Sequence, residues 1–233
     1  MDVRLRPGSV VVLEGLDGAG KTTQLDRLRS WSWSPQPTFA HMPSGLTSLT
    51  GAIYELTEDN PIGSPLARQL LHLACHAENM DALVVGRDSS GLVLDRWWWS
   101  TLAYGWYGAD LGQKGVSEDV FRGLIRSVWA PIAADLVLVF STPFTDDPLN
   151  LRGVRDGYAQ LLGAAGDTAI EVPSADPDTT AEVIRRELHE RGPRCFMSRC
   201  PRTGFRCLIW FCPRSCWWFH WEFGRLVLGL DER

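Results

Sequence analysis

Lysine is nearly missing from this chain. Its 233 residues carry 23 basic side chains, yet lysine occurs only at Lys21 and Lys114. A lysine inside a motif is therefore not a casual event here. Cysteine is almost as scarce: before residue 195 there is Cys75 alone. This excludes a disulfide framework for the body of the chain and predicts a reduced, cytoplasmic protein. No uncharged apolar run reaches about 18 residues, so no transmembrane helix is expected. The charged first seven residues give no signal-peptide pattern. A net charge of −5 supplies no global pull toward nucleic acid or an anionic membrane.

Forty-five per cent of the residues are hydrophobic, enough for one domain of ordinary size with an appendage. Short apolar runs at residues 10–14, 38–42, 92–95, 136–140 and 169–172 read as strands. Helical spacing is found over residues 21–30, 47–58, 64–83, 100–111, 117–130 and 179–191. Ser117 stands where an N-cap belongs, and Gly192-Pro193 is a stop signal. Alternating strands and amphipathic helices predict a three-layer α/β fold, a five-stranded parallel sheet with helices on both faces. The globular unit closes near residue 191, giving a domain over 1–191 and an extension over 192–233.

The stretch Gly15-Leu16-Asp17-Gly18-Ala19-Gly20-Lys21-Thr22 fits G-x-x-x-x-G-K-[ST] without a gap. A polyphosphate needs several backbone N–H donors converging on it, so the loop must curl tightly with little side-chain bulk. Gly15, Gly18 and Gly20 allow that, and the following helix offers its free N–H groups and positive dipole end. Lys21 brings a cation to the terminal phosphates, and Thr22, followed by Thr23, a hydroxyl for Mg²⁺. An apolar strand before and a helix after separate this loop from a chance glycine turn. Together they predict a P-loop NTPase fold that binds a nucleoside triphosphate.

Two further features bear on what receives the phosphate. Asp17 lies inside the loop, where it either faces solvent, caps the turn, or meets a hydroxyl of a second substrate. Asp95 and Arg96 end a strand, as a structural ion pair or as a metal carboxylate beside a phosphate-binding fork. "EGLDGAGKTTQ" together with "DRWWWSTLAY" resembles the thymidylate kinase family of P-loop nucleoside monophosphate kinases, whose second motif is D-R-[YWF]-x-x-S-x-x-A-Y. "ADLVLVF" and "GVRDGYAQL" resemble a later strand and helix of that family, in order and with matching spacing.

The resemblance implies transfer of the ATP γ-phosphoryl to a deoxypyrimidine monophosphate, most simply dTMP, with Mg²⁺ bridging the phosphates. It also suggests a homodimer acting on small nucleotides and not on nucleic acid. Asp17 would contact the sugar 3′-hydroxyl, Arg96 the acceptor's phosphate, and Tyr104 the sugar. Asp95 would help Thr22 hold Mg²⁺. Trp97 would lie at the acceptor site with Ser100 and Thr101 beyond it, while Trp98 and Trp99 divide between the core and a neighbouring surface.

Several positions depart from the family pattern. His41 stands where the family has an arginine, and Met42 where it has a glutamate. His72 replaces an aromatic ring under the base, and His76 an arginine near it. Each histidine reads either as ordinary packing or as part of an acceptor site altered for a modified pyrimidine or for looser selection. The lid segment, "PFTDDPLNL", is short and acidic. Arg152 is the candidate for the lid arginine, and Arg155, within the V-R helix motif, reads as structural. A poor lid would give a slow kinase or futile ATP hydrolysis. A deoxynucleoside kinase, or a nucleotide-binding regulator that has lost turnover, are the rival readings. The extension holds Cys195, Cys200, Cys207, Cys212, Cys216 and His220 among tryptophans and arginines. It reads as a metal site, as a membrane- or partner-docking patch, or as a poorly selected tail.

Overall fold

The structure, a computed structural model, describes residues 5–191. The cysteine-rich extension lies outside the described residues. Five strands, β1 (Val10–Gly15), β2 (Thr38–His41), β3 (Leu92–Asp95), β4 (Leu136–Phe140) and β5 (Ala169–Glu171), form one sheet in the order β2-β3-β1-β4-β5. Every pairing is parallel. All residues of β1, β3 and β4 are buried. Because side chains alternate faces along a strand, full burial requires cover on both sides. That is why these strands read as unbroken apolar runs.

The helices are α1 (Lys21–Ser30), α2 (Ser48–Asp59), α3 (Pro65–Ser90), α4 (Trp98–Ser100), α5 (Glu118–Trp129), α6 (Arg152–Ala164) and α7 (Pro177–Arg191). Helix α1 packs on β1, β3 and α7, while α3 packs on β2, β3 and α5. The register sets Leu13 beside Asp95, His41 beside Asp95, and Gly15 beside Phe140. The carboxyl ends of four strands therefore meet at one edge. β1 lies between β3 and β4, so the chain leaves the sheet there in opposite directions and opens a crevice.

The structure departs most from the sequence expectation at three helices and one cap. Helix α3 runs to Ser90 instead of stopping near residue 83. Gly86 lies so close to Thr38 of β2 that a Cβ would sit 2.7 Å from its Oγ1, and Arg87 donates to the Pro131 carbonyl. These contacts hold a last stretch whose apolar periodicity has faded. Helix α7 starts at Pro177, not at residue 179, because Asp176 accepts from the backbone N–H groups of Asp178 and Thr179, both at 3.0 Å, with proline at the first helical position. Ser117 precedes α5 but makes no side-chain cap hydrogen bond. The helix expected over residues 100–111 begins at Trp98 and becomes a π-helix over Thr101–Gly108, closed by Ala109 N–H donating to the Tyr104 carbonyl at 2.9 Å. Periodicity of 3.6 residues cannot announce that wider winding.

Gly15 has φ +129°, and a Cβ there would collide with the Phe140 backbone. Gly15→Ala is expected to cost about 2 kcal/mol or more through overpacking and backbone strain. Thermal unfolding should then show Tm lower by about 5 °C or more.

Candidate active site

The phosphate loop follows directly from the sheet. β1 delivers Gly15, and the chain turns through Gly18 (φ +71°) and Gly20 (φ +89°), which is the N-cap of α1. The Leu16 side chain is buried in the core, so Gly15 and Leu16 shape the loop from beneath while Asp17 to Thr23 line a cavity. Lys21 is buried, and its Nζ donates to the carbonyls of Gly15 (3.0 Å) and Leu16 (2.6 Å). Burial, reinforced by the Arg96 charge, lowers its pKa to about 8 against the pull of Asp17, Asp95 and Glu14. Thr22 and Thr23 are exposed at the mouth.

The second motif is fastened to this loop by one carboxylate. Glu14 is fully buried at the end of β1. Its Oε1 accepts from Trp97 N–H (2.7 Å) and Ser100 N–H (3.1 Å), and its Oε2 from Ser100 Oγ (2.7 Å) and the Tyr158 hydroxyl (2.9 Å). Burial pushes its pKa above the ordinary value, opposed by those donors and by Arg96. Held between Leu13, whose carbonyl accepts its N–H, and Trp97, Arg96 adopts the left-handed conformation at φ +71°. Residues other than glycine adopt it uncommonly, and the strain persists only where surrounding contacts impose it. Its guanidinium donates to Asp17 Oδ1 and to Ser100 Oγ and lies over the Tyr104 ring. Tyr104 in turn donates to Asp17 Oδ2 at 3.0 Å. Asp17, Arg96, Ser100 and Tyr104 thus form one cluster, and Asp17 is neither a free surface group nor a simple turn cap.

His41 and Asp95 meet across β2 and β3, His41 Nδ1 lying 3.0 Å from Asp95 Oδ2. Burial would raise the Asp95 pKa, but the His41 hydrogen bond and the charges of His41, Arg96 and Lys21 outweigh it and hold the carboxyl below its usual value. Asp95 Oδ1 is buried without a partner. A carboxylate with its pKa held down and one orphaned oxygen, lining the same cavity as Lys21 and the exposed Thr22, suits a hard divalent cation.

These groups line one cavity of about 950 Å³, whose far end is built from α2, α3 and the tryptophan segment. His72, His76, Trp97 and Thr101 all lie on its wall. Burial and Arg68 lower the His72 pKa to about 4. Burial, with His72 nearby, lowers that of His76 to about 3, and His76 Nδ1 accepts from Trp129 Nε1 at 3.2 Å. Neither histidine is a cation at neutral pH, so His76 does not replace the charge of the family arginine. The three tryptophans separate: Trp97 lines the cavity, and of the other two it is Trp99 that is in the core. Trp98 is half-buried in a small groove with Leu102, Ile125 and Trp129.

The segment leading to α6 lies on the phosphate loop. Phe144 N–H donates to the Gly18 carbonyl at 2.9 Å. The Asn150 side chain grips Asp17 from both sides, accepting from its N–H (2.9 Å) and donating to its carbonyl (2.7 Å). Arg152, the expected lid arginine, is 95% exposed, pairs with Asp156 at 3.7 Å and is not on the cavity wall. Arg155 donates to the Asn150 carbonyl, a structural role. Sequence reasoning missed Glu14, Asn150, Tyr158, Arg68 and Gln69. Of these, Glu14 carried a signal, a carboxylate inside the apolar run VVVLEG. Tyr158 carried another, its place in the V-R-x-x-Y helix.

The family model described as "Thymidylate kinase" matches residues 13–121. A thymidylate kinase of Synechococcus sp. (strain CC9902) is 34% identical over 209 residues, covering 78% of this chain and 98% of that protein. The chain belongs to the thymidylate kinase family. A second relative, the thymidylate kinase of Prochlorococcus marinus (strain MIT 9303), is 31% identical across 80% of this chain and 96% of its own length. A crystal structure of thymidylate kinase from Ehrlichia chaffeensis superposes with a TM-score of 0.65 at 21% identity, over 79% of this chain and all of that one. That likeness bears on the fold, which is the P-loop NTPase fold of the thymidylate kinases.

Because His72 and His76 stay neutral when folded, the unfolded chain binds more protons below their ordinary pKa of 6.5. Stability is therefore expected to fall as pH drops from 6.5 toward 4, by about 1.4 kcal/mol per pH unit for each histidine. His76→Gln should remove one histidine's share of that slope in denaturant titrations across pH.

Proposed function

We propose that this chain transfers the γ-phosphoryl of ATP to a deoxypyrimidine monophosphate, dTMP in the first instance, making dTDP and ADP. The observation that carries this reading is the Asp17–Arg96–Ser100 cluster on the same wall as the phosphate loop. Arg96 offers a fork to the acceptor's phosphate. Asp17 and Tyr104, joined at 3.0 Å, take the sugar, with Asp17 accepting from its 3′-hydroxyl. Trp97, Ser100 and Thr101 line the acceptor side with His41, His72 and His76.

Transfer needs two nucleotides on opposite sides of the phosphate loop. A second cavity of about 330 Å³, between Thr23, Phe144 and the residues leading into α7, provides the donor's place. The backbone from Gly15 to Thr23 and the α1 N-terminus bind the donor's phosphates. Thr22 and Asp95 would hold Mg²⁺, which supplies charge neutralisation on the phosphates. An oxygen of the acceptor's phosphate attacks the γ-phosphorus, the bond to the β–γ bridging oxygen breaks, and ADP leaves with the electron pair. Lys21 and Arg96 stabilise the charge that develops, so the step relies on positioning and electrostatics and needs no strong base. Arg152, exposed beside the wall residue Leu151 and paired with Asp156, is the arginine that would swing over the transferring group on closure.

The reading extends to a cytoplasmic enzyme in nucleotide biosynthesis, with its kinase domain over 1–191 and an extension over 192–233. The scarcity of cysteine before residue 195 supports that compartment. Exposed Leu70, Leu71 and Val85 on α3 support a homodimer.

A coupled ADP-release assay across the deoxynucleoside monophosphates tests the reading. ADP formation that depends on dTMP is the expected result, and none with any acceptor would overturn it. Trp97→Ala should raise the KM for dTMP about tenfold and change that for ATP little, since the ring lines only the acceptor's cavity; the reverse pattern would misplace it. Arg152→Ala should lower kcat by a factor of about ten or more, and unchanged turnover would remove Arg152 from the lid role.

A further inference from the structure

Buried polar atoms almost always find a hydrogen-bond partner. Among the described residues five side-chain atoms have none: Gln69 Oε1, His72 Nε2, Asp95 Oδ1, Trp97 Nε1 and Glu187 Oε2. Glu187 Oε2 lies 2.8 Å from Arg191 Nε, an ion pair that accounts for it. The other four all belong to residues on the wall of the acceptor's cavity. Asp95 has its explanation at the phosphate end. Gln69, His72 and Trp97 remain, the first two on α3 and the third in the turn after β3, all lining the same cavity.

Their chemistry is specific. Trp97 Nε1–H is a donor without an acceptor, and Gln69 Oε1 an acceptor without a donor. A pyrimidine imide, a ring N–H flanked by carbonyl oxygens, supplies both. We propose that Gln69 is a specificity-determining residue of the acceptor site, its amide oxygen accepting the ring N–H of the acceptor's imide base. The inference rests on the kinase reading and deepens it by naming a residue that reads the base. Trp97 then donates to a carbonyl of the same base, and His72, kept neutral by burial, adds a hydrogen bond and no charge.

The fold makes room for this amide. Gly105, in the π-helix, packs against Gln69, and a Cβ on Gly105 would lie 2.8 Å from Gln69 Cδ and 2.9 Å from its Oε1. Helix α3 presents Gln69 at 5% exposure into a place that any side chain at residue 105 would occupy. Leaving a buried amide unpaired is costly, so its placement calls for a ligand that pairs it.

The test compares dTMP with its N3-methyl analogue, which keeps the carbonyls and lacks the ring N–H. Kinetics are measured on the full chain for the unaltered enzyme, Gln69→Met and Gly105→Ala. The unaltered enzyme should disfavour the analogue by about 10- to 100-fold in kcat/KM. Gln69→Met, similar in volume but without the acceptor, should raise the KM for dTMP about tenfold, leave that for ATP within about twofold, and narrow the gap between dTMP and the analogue. Gly105→Ala, which displaces the amide without removing it, should shift the same two readings in the same direction. A gap unchanged in a folded Gln69→Met enzyme, as a purely structural role would leave it, overturns the inference while the kinase reading stands. If Gln69→Met does not fold, Gly105→Ala decides by the same criterion. An unaltered enzyme that makes no dTDP overturns both readings together.

Discussion

Glu14 is the constraint on which the rest of the site depends. A carboxylate with no route to water must be satisfied inside the protein, and the donors that satisfy it come from two other segments of the chain. Trp97 and Ser100 belong to the turn after β3, and Tyr158 to α6. One buried group at the centre of the sheet therefore fixes where the D-R-W turn and α6 stand relative to the phosphate loop. The left-handed conformation of Arg96 follows, because the N–H groups on either side of it are tied to Leu13 and Glu14. The strain is local, and what it achieves is a guanidinium aimed back over the loop at Asp17.

The same arrangement explains how the histidines fit. His41 is tied to Asp95, where it helps keep that carboxylate charged. His76 is tied to Trp129 and so belongs to the aromatic packing of Trp97 and Trp129 as much as to the cavity. The wall at the base end thus exchanges a charge for neutral groups of defined direction. On the proposed reading, selectivity there comes from matching donors and acceptors, which is sharper than charge at separating ligands of equal charge.

Much of this was legible in the sequence, and the limits have physical causes. The phosphate loop and Asp95-Arg96 were readable because backbone geometry and phosphate chemistry demand those residue types at those spacings. The five strands were readable because burial on both faces forces unbroken apolar runs. The far end of α3 was not, since it is held by Gly86 against Thr38, a contact between residues far apart in the chain. Nor was Asn150, whose amide has no local pattern and whose role exists only once α6 is brought to the loop. Gln69 was hidden for a related reason. On a helix it looks like any solvated polar residue until Gly105 opposite it is seen to have given up its side chain.

Asn150 has a consequence of its own. It holds the backbone of Asp17, while Arg96 and Tyr104 hold the carboxylate of the same residue. The strap over the phosphate loop and the Arg96–Tyr104 cluster therefore share a single joint. Free energy spent at one side of that joint is felt at the other, and equally in both directions. A nucleotide that settles Asp17 steadies the strap, and a strap that closes steadies the cluster. On the proposed kinase reading, such reciprocity would let a single aspartate report the arrival of one substrate to the cover of the other.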